Sequence, residues 1–283
     1  MSGAKQMKTV SSTQQSTTRL ALFVDGGGLA DLWSRLPSQA RICAIVGAGI
    51  RPQYFDALAG RAAEAACPFL VQPRRDDPGY AEFVAQLART RPTRLLAHSY
   101  SMILRPEVLE LVDYDALNVH AALLPRNRGP NPIQWAMIND EPASGVSLHY
   151  LDEGLDTGPV VARSAVAIEE GDTWVTLAQR VHAATQQLLN AYLPGIVAGG
   201  LACHPQAEDA ATRNPRLNAD SPRLDVANMT DRQMFNWIRA QVRPLGGAYV
   251  ERGNGERLHV PEYVPMQDIA VLRGRLRAWL EQA

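Results

Sequence analysis

Cysteine is scarce in this sequence. Three cysteines occur in 283 residues, and they are far apart. Cys43, Cys67 and Cys203 form neither a CxxC pair nor a metal-ligand spacing with histidine. An odd number of separated thiols argues against a disulfide framework and favours a reducing, cytoplasmic setting.

Long apolar runs and an excess of charge are also lacking. The apolar runs fall far short of the roughly 20 residues that a membrane-spanning helix needs. The formal net charge is −1, whereas a protein that grips nucleic acid usually carries a large positive excess. We therefore expect neither a membrane nor a nucleic acid as partner.

The N-terminal residues 1–18 show no targeting pattern. They are rich in Ser, Thr and Gln and lack the apolar centre of a signal peptide. We expect a disordered tail there. Hydrophobic residues make up 46% of the sequence, which is enough for a sizeable core in the rest of the chain.

From Arg19 onward, short apolar runs alternate with helical patterns. The alternation predicts strands at 20–24, 41–46, 69–71, 94–97 and 117–120, and helices at 29–36, 54–67, 79–91 and 106–112. Such an order implies right-handed crossovers and a mostly parallel sheet covered on both faces, so the fold class is α/β. Asn118 and His120 lie at the carboxyl end of a strand, where such sheets bind ligands. Positions two apart share one side of a strand, so both side chains are predicted to face one cleft.

The second half of the chain differs in character. It predicts strands at 145–150 and 160–168, a helix from about 172 to 198, and a linker loop over 203–229, which is rich in Pro, Asn, Asp and Arg. A small α+β appendage follows, with a helix at 234–242 opened by a capping box at Thr230, a hairpin turning at Asn254-Gly255, and a last amphipathic helix. The predicted division is a tail (1–18), an α/β domain (19–202), the linker (203–229) and a C-terminal subdomain (230–283).

Two linked motifs are the strongest indication of function in the sequence. Asn118-Val-His120 is followed by a Leu-Leu-Pro loop that ends at Gly129, and Asp152-Glu-Gly-Leu-Asp156-Thr-Gly comes later. Folate-dependent formyltransferases share this pair of motifs, and the sequence resembles them from about residue 95 to residue 248. Two motifs in order on a matching strand-helix background are far more specific than one. The resemblance implies a Rossmann-like catalytic domain over 19–202 that uses N10-formyltetrahydrofolate as co-substrate and requires no metal.

The chemistry of formyl transfer explains the residue types. A neutral amine attacks the formyl carbon through a tetrahedral oxyanion, and the Asn118 amide can donate to that oxyanion. The reaction needs a group of the histidine type, which as a residue class titrates near neutrality, and this suits His120 as a proton relay. Asp156 can orient the imidazole and accept a proton from the amine, through water. Each residue alone is more often structural, but together they are predicted to be catalytic.

Further site residues follow from the resemblance. A loop after the fourth predicted strand should hold the pterin ring, and the loop at 152–156 should close the other wall. The residues predicted to bind the carrier are Ser101, Met102, Ile103, Leu104, Leu124, Asp152, Gly154 and Leu155. For Met102, Ile103 and Leu104, ordinary core packing is an equally weighted alternative. The residues predicted to bind the substrate are Gly26, Gly27, Arg128 and Trp135. Gly26-Gly27-Gly28 is not GxGxxG, so it predicts a flexible turn near the substrate entrance and not a dinucleotide site.

The acceptor is predicted to be a primary amine on a nucleotide-linked sugar. The segment at 132–141 resembles the sugar-nucleotide branch of the family, and those near Asn236 and Pro244 resemble both that branch and the methionyl-tRNA branch. The roughly forty residues after Gly247 are too few for the β-barrel that forms the second domain of the methionyl-tRNA branch. Ala122 and Asn127 stand where the family usually has serine and an aromatic residue, so another small amine or an aminoacyl group remains an alternative.

Two rival functions use the same residues. One is a hydrolase that releases formate from the same carrier, although its free-standing members carry an extra N-terminal domain. The other is a decayed relative that only binds folate or a partner. The last helix is expected to pack on its own domain, with a homodimer as the alternative.

Overall fold

The computed structural model describes residues 18–282. Apart from Thr18, the predicted N-terminal tail lies outside them. The strands are β1 (Arg19–Val24), β2 (Arg41–Ala48), β3 (Phe69–Gln72), β4 (Arg94–His98), β5 (Ala116–His120), β6 (Ala143–Tyr150), β7 (Val160–Ala167), β8 (Ala248–Glu251) and β9 (Arg257–Val260). The helices are α1 (Gly27–Trp33), α2 (Phe55–Glu64), α3 (Tyr80–Arg89), α4 (Pro106–Leu109), α5 (Pro132–Ile138), α6 (Trp174–Ala198), α7 (Asp231–Arg239) and α8 (Ile269–Glu281).

Seven strands form one sheet in the order β3-β2-β1-β4-β5-β6-β7. The pairs from β3 to β5 are parallel, and β6 and β7 add antiparallel pairs. The chain first builds outward from β1 to β3 and then returns to pair β4 with the other side of β1. The sheet therefore has its topological switch point between β1 and β4, where ligands bind in such folds.

The sheet is buried on both faces, as its near-continuous apolar strands predict. Helices α1, α2 and α6 pack on one face, where Leu188, Leu193 and Ile196 of α6 join the strand residues Leu22 and Leu96 in one apolar cluster. Helices α3 and α4 cover part of the other face in a second cluster. The predicted mostly parallel α/β fold is therefore confirmed.

Two helix starts differ from those predicted. Helix α1 begins at Gly27, so Gly27 and Gly28 form its first turn and the predicted flexible turn is wrong. A Cβ at Gly28 would lie 2.5 Å from the carbonyl oxygen of His98, so this turn packs directly on the end of β4. Helix α7 begins at Asp231 and not at 234, because Thr230 and Gln233 form the capping box and the helix starts directly after its cap.

The C-terminal residues form a hairpin (β8 and β9) and two helices (α7 and α8) around their own apolar cluster. Leu276 of α8 is buried in that cluster, with Leu272 and Trp279 packed against it. Trp237 of α7 meets Trp135 of α5 edge to face, with ring centroids 5.9 Å apart. The appendage is thus packed against the main sheet domain, while the homodimer remains a prediction.

Gly145 of β6 lies against the backbone of β7 with no room for a side chain. A Cβ there would lie 2.2 Å from the carbonyl oxygen of Ser164, which is backbone and cannot rotate away. We expect Gly145→Ala to lower the free energy of unfolding by about 3 kcal/mol or more, measured by urea denaturation. The matched control is Gly60→Ala, in the interior of α2, where a Cβ meets nothing within 4 Å. That change should stabilise by up to about 1 kcal/mol, and equal effects at both positions would contradict the account.

No helix among residues 18–282 is long and apolar enough to cross a membrane.

Candidate active site

Asn118 and His120 lie in the last three residues of β5, at the carboxyl edge of the sheet. Both are partly buried. Because β5 pairs antiparallel with β6, Asn118 lies opposite His149 and His120 lies opposite Ser147. Side chains opposite each other in such a pair lie on the same face of the sheet. The register therefore brings a second histidine beside the two predicted residues.

His149 is the neighbour that holds the Asn118 amide. Its Nε2 lies 3.2 Å from Asn118 Nδ2, and its Nδ1 lies 2.8 Å from the carbonyl oxygen of Tyr150. Burial lowers the pKa of His149 to about 4, so the ring is neutral at pH 7. A carbonyl oxygen only accepts, so Nδ1 carries the hydrogen and Nε2 accepts from the amide. This orients Asn118 and leaves its second N–H free for another acceptor.

The buried imidazole of His149 makes the stability of the fold depend on pH. Its pKa lies below the ordinary 6.5, so the folded state resists protonation that the unfolded chain accepts. The contribution of the neutral imidazole to the free energy of unfolding is fully present above pH 6.5. It is lost as the pH falls toward 4, by about 3 kcal/mol in total. We expect His149→Gln to flatten the urea-derived stability profile between pH 7 and 4.5. The exposed residue His204, changed to Gln, serves as control, and identical profiles for wild type and His149→Gln would refute the assignment.

Asp156 lies in the loop after β6 with a left-handed backbone (φ 55°). Its Oδ2 accepts a hydrogen bond of 2.8 Å from the backbone N–H of Gly129. Its Oδ2 is 3.8 Å from His120 Nδ1 and its Oδ1 is 3.7 Å from His149 Nε2. Burial alone would raise the pKa of Asp156, but the nearby His120 and the Gly129 N–H outweigh it and the pKa lies below its usual range. The side chain is thus a buried carboxylate at neutral pH.

The imidazole of His120 is fixed from its other side. Its Nε2 lies 3.0 Å from the backbone carbonyl oxygen of Asn127. His120 therefore stands between the loop at 125–131 and Asp156, with about a tenth of its side chain exposed. The three residues predicted to be catalytic converge on one point.

That point opens into a cleft of about 690 Å³ across the carboxyl edge of the sheet. Asn118, His120 and Asp156 line it. Seven of the residues predicted to bind the carrier also line it: Ser101, Met102, Ile103, Leu104, Asp152, Gly154 and Leu155. Asp25 at the end of β1 accepts from the backbone N–H of Ser101 at 2.9 Å, which ties this loop to the sheet.

Five residues predicted to bind carrier or substrate lie outside this lining. Leu124 is 1% exposed and belongs to the core. The buried Arg128 guanidinium donates to the Gln206 side chain and to the Glu208 carboxylate. Trp135 Nε1 donates to the carbonyl oxygen of Pro215. Gly26 caps α1 and Gly27 is its first residue. Local partners occupy the polar groups of Arg128 and Trp135, and the binding roles of all five residues stay predictions.

Other cleft residues were not singled out from the sequence. His98 and His182 line it, and both face Asp31 of α1, with Nε2 to carboxylate distances of 3.2 and 3.4 Å. Burial alone would raise the pKa of Asp31, but hydrogen bonds from His98 and Gln186 outweigh it and the pKa lies below its usual value. These residues come from three separate elements, so no sequence spacing connects them.

A second cavity, of about 930 Å³, lies at the opposite end of the sheet. Arg19, Arg41 and Cys43, near the starts of β1 and β2, line it, and none of the predicted site residues does. Ligands of parallel sheets bind at the carboxyl ends of the strands, so we assign the chemistry to the smaller cleft. Among the residues described, no three His, Cys, Asp or Glu side chains are grouped so as to hold a metal.

Comparison with known proteins yields one family. The family model for formyl transferases matches residues 59–193. Methionyl-tRNA formyltransferase from Halorhodospira halophila is 38% identical over 182 residues, which is 64% of this chain and 57% of that protein. The chain thus spans little more than half the length of this relative.

Solved structures agree. A sugar N-formyltransferase from a Shewanella species superposes with a TM-score of 0.69 over 88% of this chain and 98% of its own, at 18% identity, which is a likeness of fold. Glycinamide ribonucleotide transformylase 1 from Geobacillus kaustophilus superposes with a TM-score of 0.56 over 64% of this chain and 99% of its own, at 28% identity. Both sequence motifs lie inside the matched segment, and the resemblance of this chain to the folate-dependent formyltransferases is confirmed.

Proposed function

We propose that the protein transfers a formyl group from N10-formyltetrahydrofolate to a primary amine, most simply an amino sugar on a nucleotide. The observation that carries this proposal is the convergence of Asn118, His120 and Asp156 at the floor of one cleft. An amide donor, an imidazole and a buried carboxylate are the groups that an amine attack on a formyl carbon needs. The apolar side chains of Met102, Ile103 and Leu104 suit one face of a flat pterin ring.

Asn118, Asp156 and His120 each have a separate role in the proposed reaction. The free N–H of Asn118 donates to the formyl oxygen as it becomes an oxyanion. Asp156, ionised at neutral pH, takes the proton that the attacking amine must lose, through a water molecule in the cleft. Asp156 passes that proton to Nδ1 of His120, and the imidazole delivers it to N10 as the carbon–N10 bond breaks. A new amide bond and tetrahydrofolate result, with no net gain or loss of protons on the protein.

The acceptor is the finer part of the proposal. The near-neutral net charge favours a small nucleotide-linked amine over a tRNA. The similarity to methionyl-tRNA formyltransferase favours the second candidate, an aminoacyl group on tRNA. Both acceptors present a primary amine, so the same catalytic groups serve either one.

A carrier-consumption assay with mass detection tests the proposal. Purified protein is mixed with 10-formyltetrahydrofolate and, in separate arms, nucleotide-linked amino sugars, other small amines and methionyl-tRNA. A product that gains one formyl group supports formyl transfer and names the acceptor class. Release of formate alone supports the hydrolase instead, and folate binding without carrier loss in any arm supports a binding protein.

A further inference from the structure

The backbone carbonyl of Asn127 decides which nitrogen of His120 carries the hydrogen. A carbonyl oxygen only accepts, and it lies 3.0 Å from Nε2, so Nε2 must be the donor. In the neutral ring, Nδ1 is then the lone-pair nitrogen. That nitrogen is the one nearer Asp156, at 3.8 Å from Oδ2. The free lone pair is thus turned toward the carboxylate and the cleft.

Asn127 itself is held at every polar atom. It is 3% exposed and has a left-handed backbone, with φ 55°. Its backbone N–H donates to Thr212 Oγ1 at 2.7 Å. Its side-chain amide donates to both carboxylate oxygens of Glu141 at 3.1 Å, and its Oδ1 accepts from Asn214 Nδ2 at 2.7 Å. The carbonyl that receives the His120 hydrogen therefore has little freedom to rotate.

Asp156 cannot set the same tautomer. The 3.8 Å separation is too long for a direct hydrogen bond. An ionised carboxylate near Nδ1 also attracts a proton to that nitrogen, which favours the opposite tautomer. Asn127 works against that pull, so its carbonyl is the group that keeps the Nδ1 lone pair available.

We propose that Asn127 is a positioning residue that locks His120 in the Nε2–H tautomer, with Glu141, Thr212 and Asn214 as its anchors. The inference rests on the proposed function for its catalytic meaning. Nδ1 gains and loses the proton during transfer, while the Nε2–H bond to Asn127 persists in imidazole and imidazolium alike. The ring keeps one orientation through the whole proton relay. The two active-site imidazoles then hold opposite tautomers, because His149 carries its hydrogen on Nδ1.

Nitrogen-15 NMR of the imidazoles tests this without any substrate. In the wild-type protein we expect His120 to be protonated on Nε2 and His149 on Nδ1, with the His120 signals assigned by their loss in His120→Asn. Asn127→Gly keeps the left-handed backbone free of strain but removes the side-chain anchors, and should give a mixture of His120 tautomers. Asn214→Ala removes one anchor and serves where the glycine variant does not fold. Asn228→Ala, an exposed linker asparagine that bonds only Asp225, is the control that should change nothing.

Kinetics supply the second readout. Loss of the lock should lower kcat roughly 10- to 100-fold, leave KM for the carrier unchanged and move the acid limb of the pH profile. A wild-type His120 protonated on Nδ1 would overturn the inference, as would a tautomer unchanged in both Asn127→Gly and Asn214→Ala. A confirmed tautomer with no turnover of any amine would instead count against the proposed function alone.

Discussion

Changing His120 to Asn is expected to lower kcat by about 10³-fold, with KM for the carrier and the fold both retained. Asparagine is shorter than histidine and adds no bulk. It removes the imidazole, the group of the converging three that is proposed to relay the proton. The acid limb of the pH-rate profile, which His120 is expected to supply, should vanish in the residual activity. Steady-state kinetics with the acceptor found in the panel, and calorimetric binding of 5-formyltetrahydrofolate, measure the two effects separately.

The control for this change is His259→Asn. His259 is an exposed histidine of the C-terminal hairpin whose Nδ1 donates to the carbonyl oxygen of Gly246. It should leave kcat unchanged. Near-normal turnover by His120→Asn would mean that the imidazole is not the proton relay, whereas loss of folate binding as well would mean that His120 shapes the carrier site.

The second large effect is expected from Asp156→Asn. The substitution is isosteric and its Oδ1 can still accept from the N–H of Gly129, so the loop should stay in place. What it removes is the negative charge, and we expect kcat to fall by about 10²- to 10³-fold. Single-turnover kinetics at saturating carrier should show the loss in the chemical step.

The pH dependence separates the roles of the two residues. The pKa of Asp156 lies below its usual value, so the carboxylate stays ionised around neutral pH and should contribute no limb to the pH-rate profile there. The ionised form stabilises the fold above the unfolded-state pKa, and this stabilisation is lost as the pH falls through the lower folded-state pKa. The variant should therefore lose stability less steeply than wild type below pH 4. Asp113→Asn, an exposed aspartate with the same left-handed backbone, is the control, and unchanged turnover in Asp156→Asn would exclude a catalytic carboxylate.

The residues that line the floor of the cleft could be predicted from the sequence because they belong to short motifs of fixed spacing. Asn118 and His120 are two residues apart on one strand, and strand periodicity alone places them on one side. Asp156 follows from a second motif with a fixed spacing. The structure brings these three together, although their catalytic roles stay predictions until the variants are measured.

The sequence did not predict the contacts of residues that depend on pairing between distant segments. His149 meets Asn118 only because β6 runs antiparallel to β5 in one register, and periodicity does not set register between distant strands. Arg128 reads as a free cation in the motif, yet Gln206 and Glu208, about eighty positions later, bind its guanidinium. Gly27 and Gly28 read as a turn, because the close approach of α1 to β4 that requires small residues is a tertiary contact.

The segment after α6 has a consequence for anyone who would divide this chain. Gln206 donates to the carbonyl oxygens of Asp156 and Gly158, while Thr212 and Asn214 hold Asn127. The predicted linker therefore forms hydrogen bonds that hold the two loops carrying Asn127 and Asp156 in place. A chimera that exchanges C-terminal subdomains among relatives should therefore have its junction after position 217 and not at 203. With a junction at 203, the loops that carry Asn127 and Asp156 would come from one parent and the residues that bind them from the other.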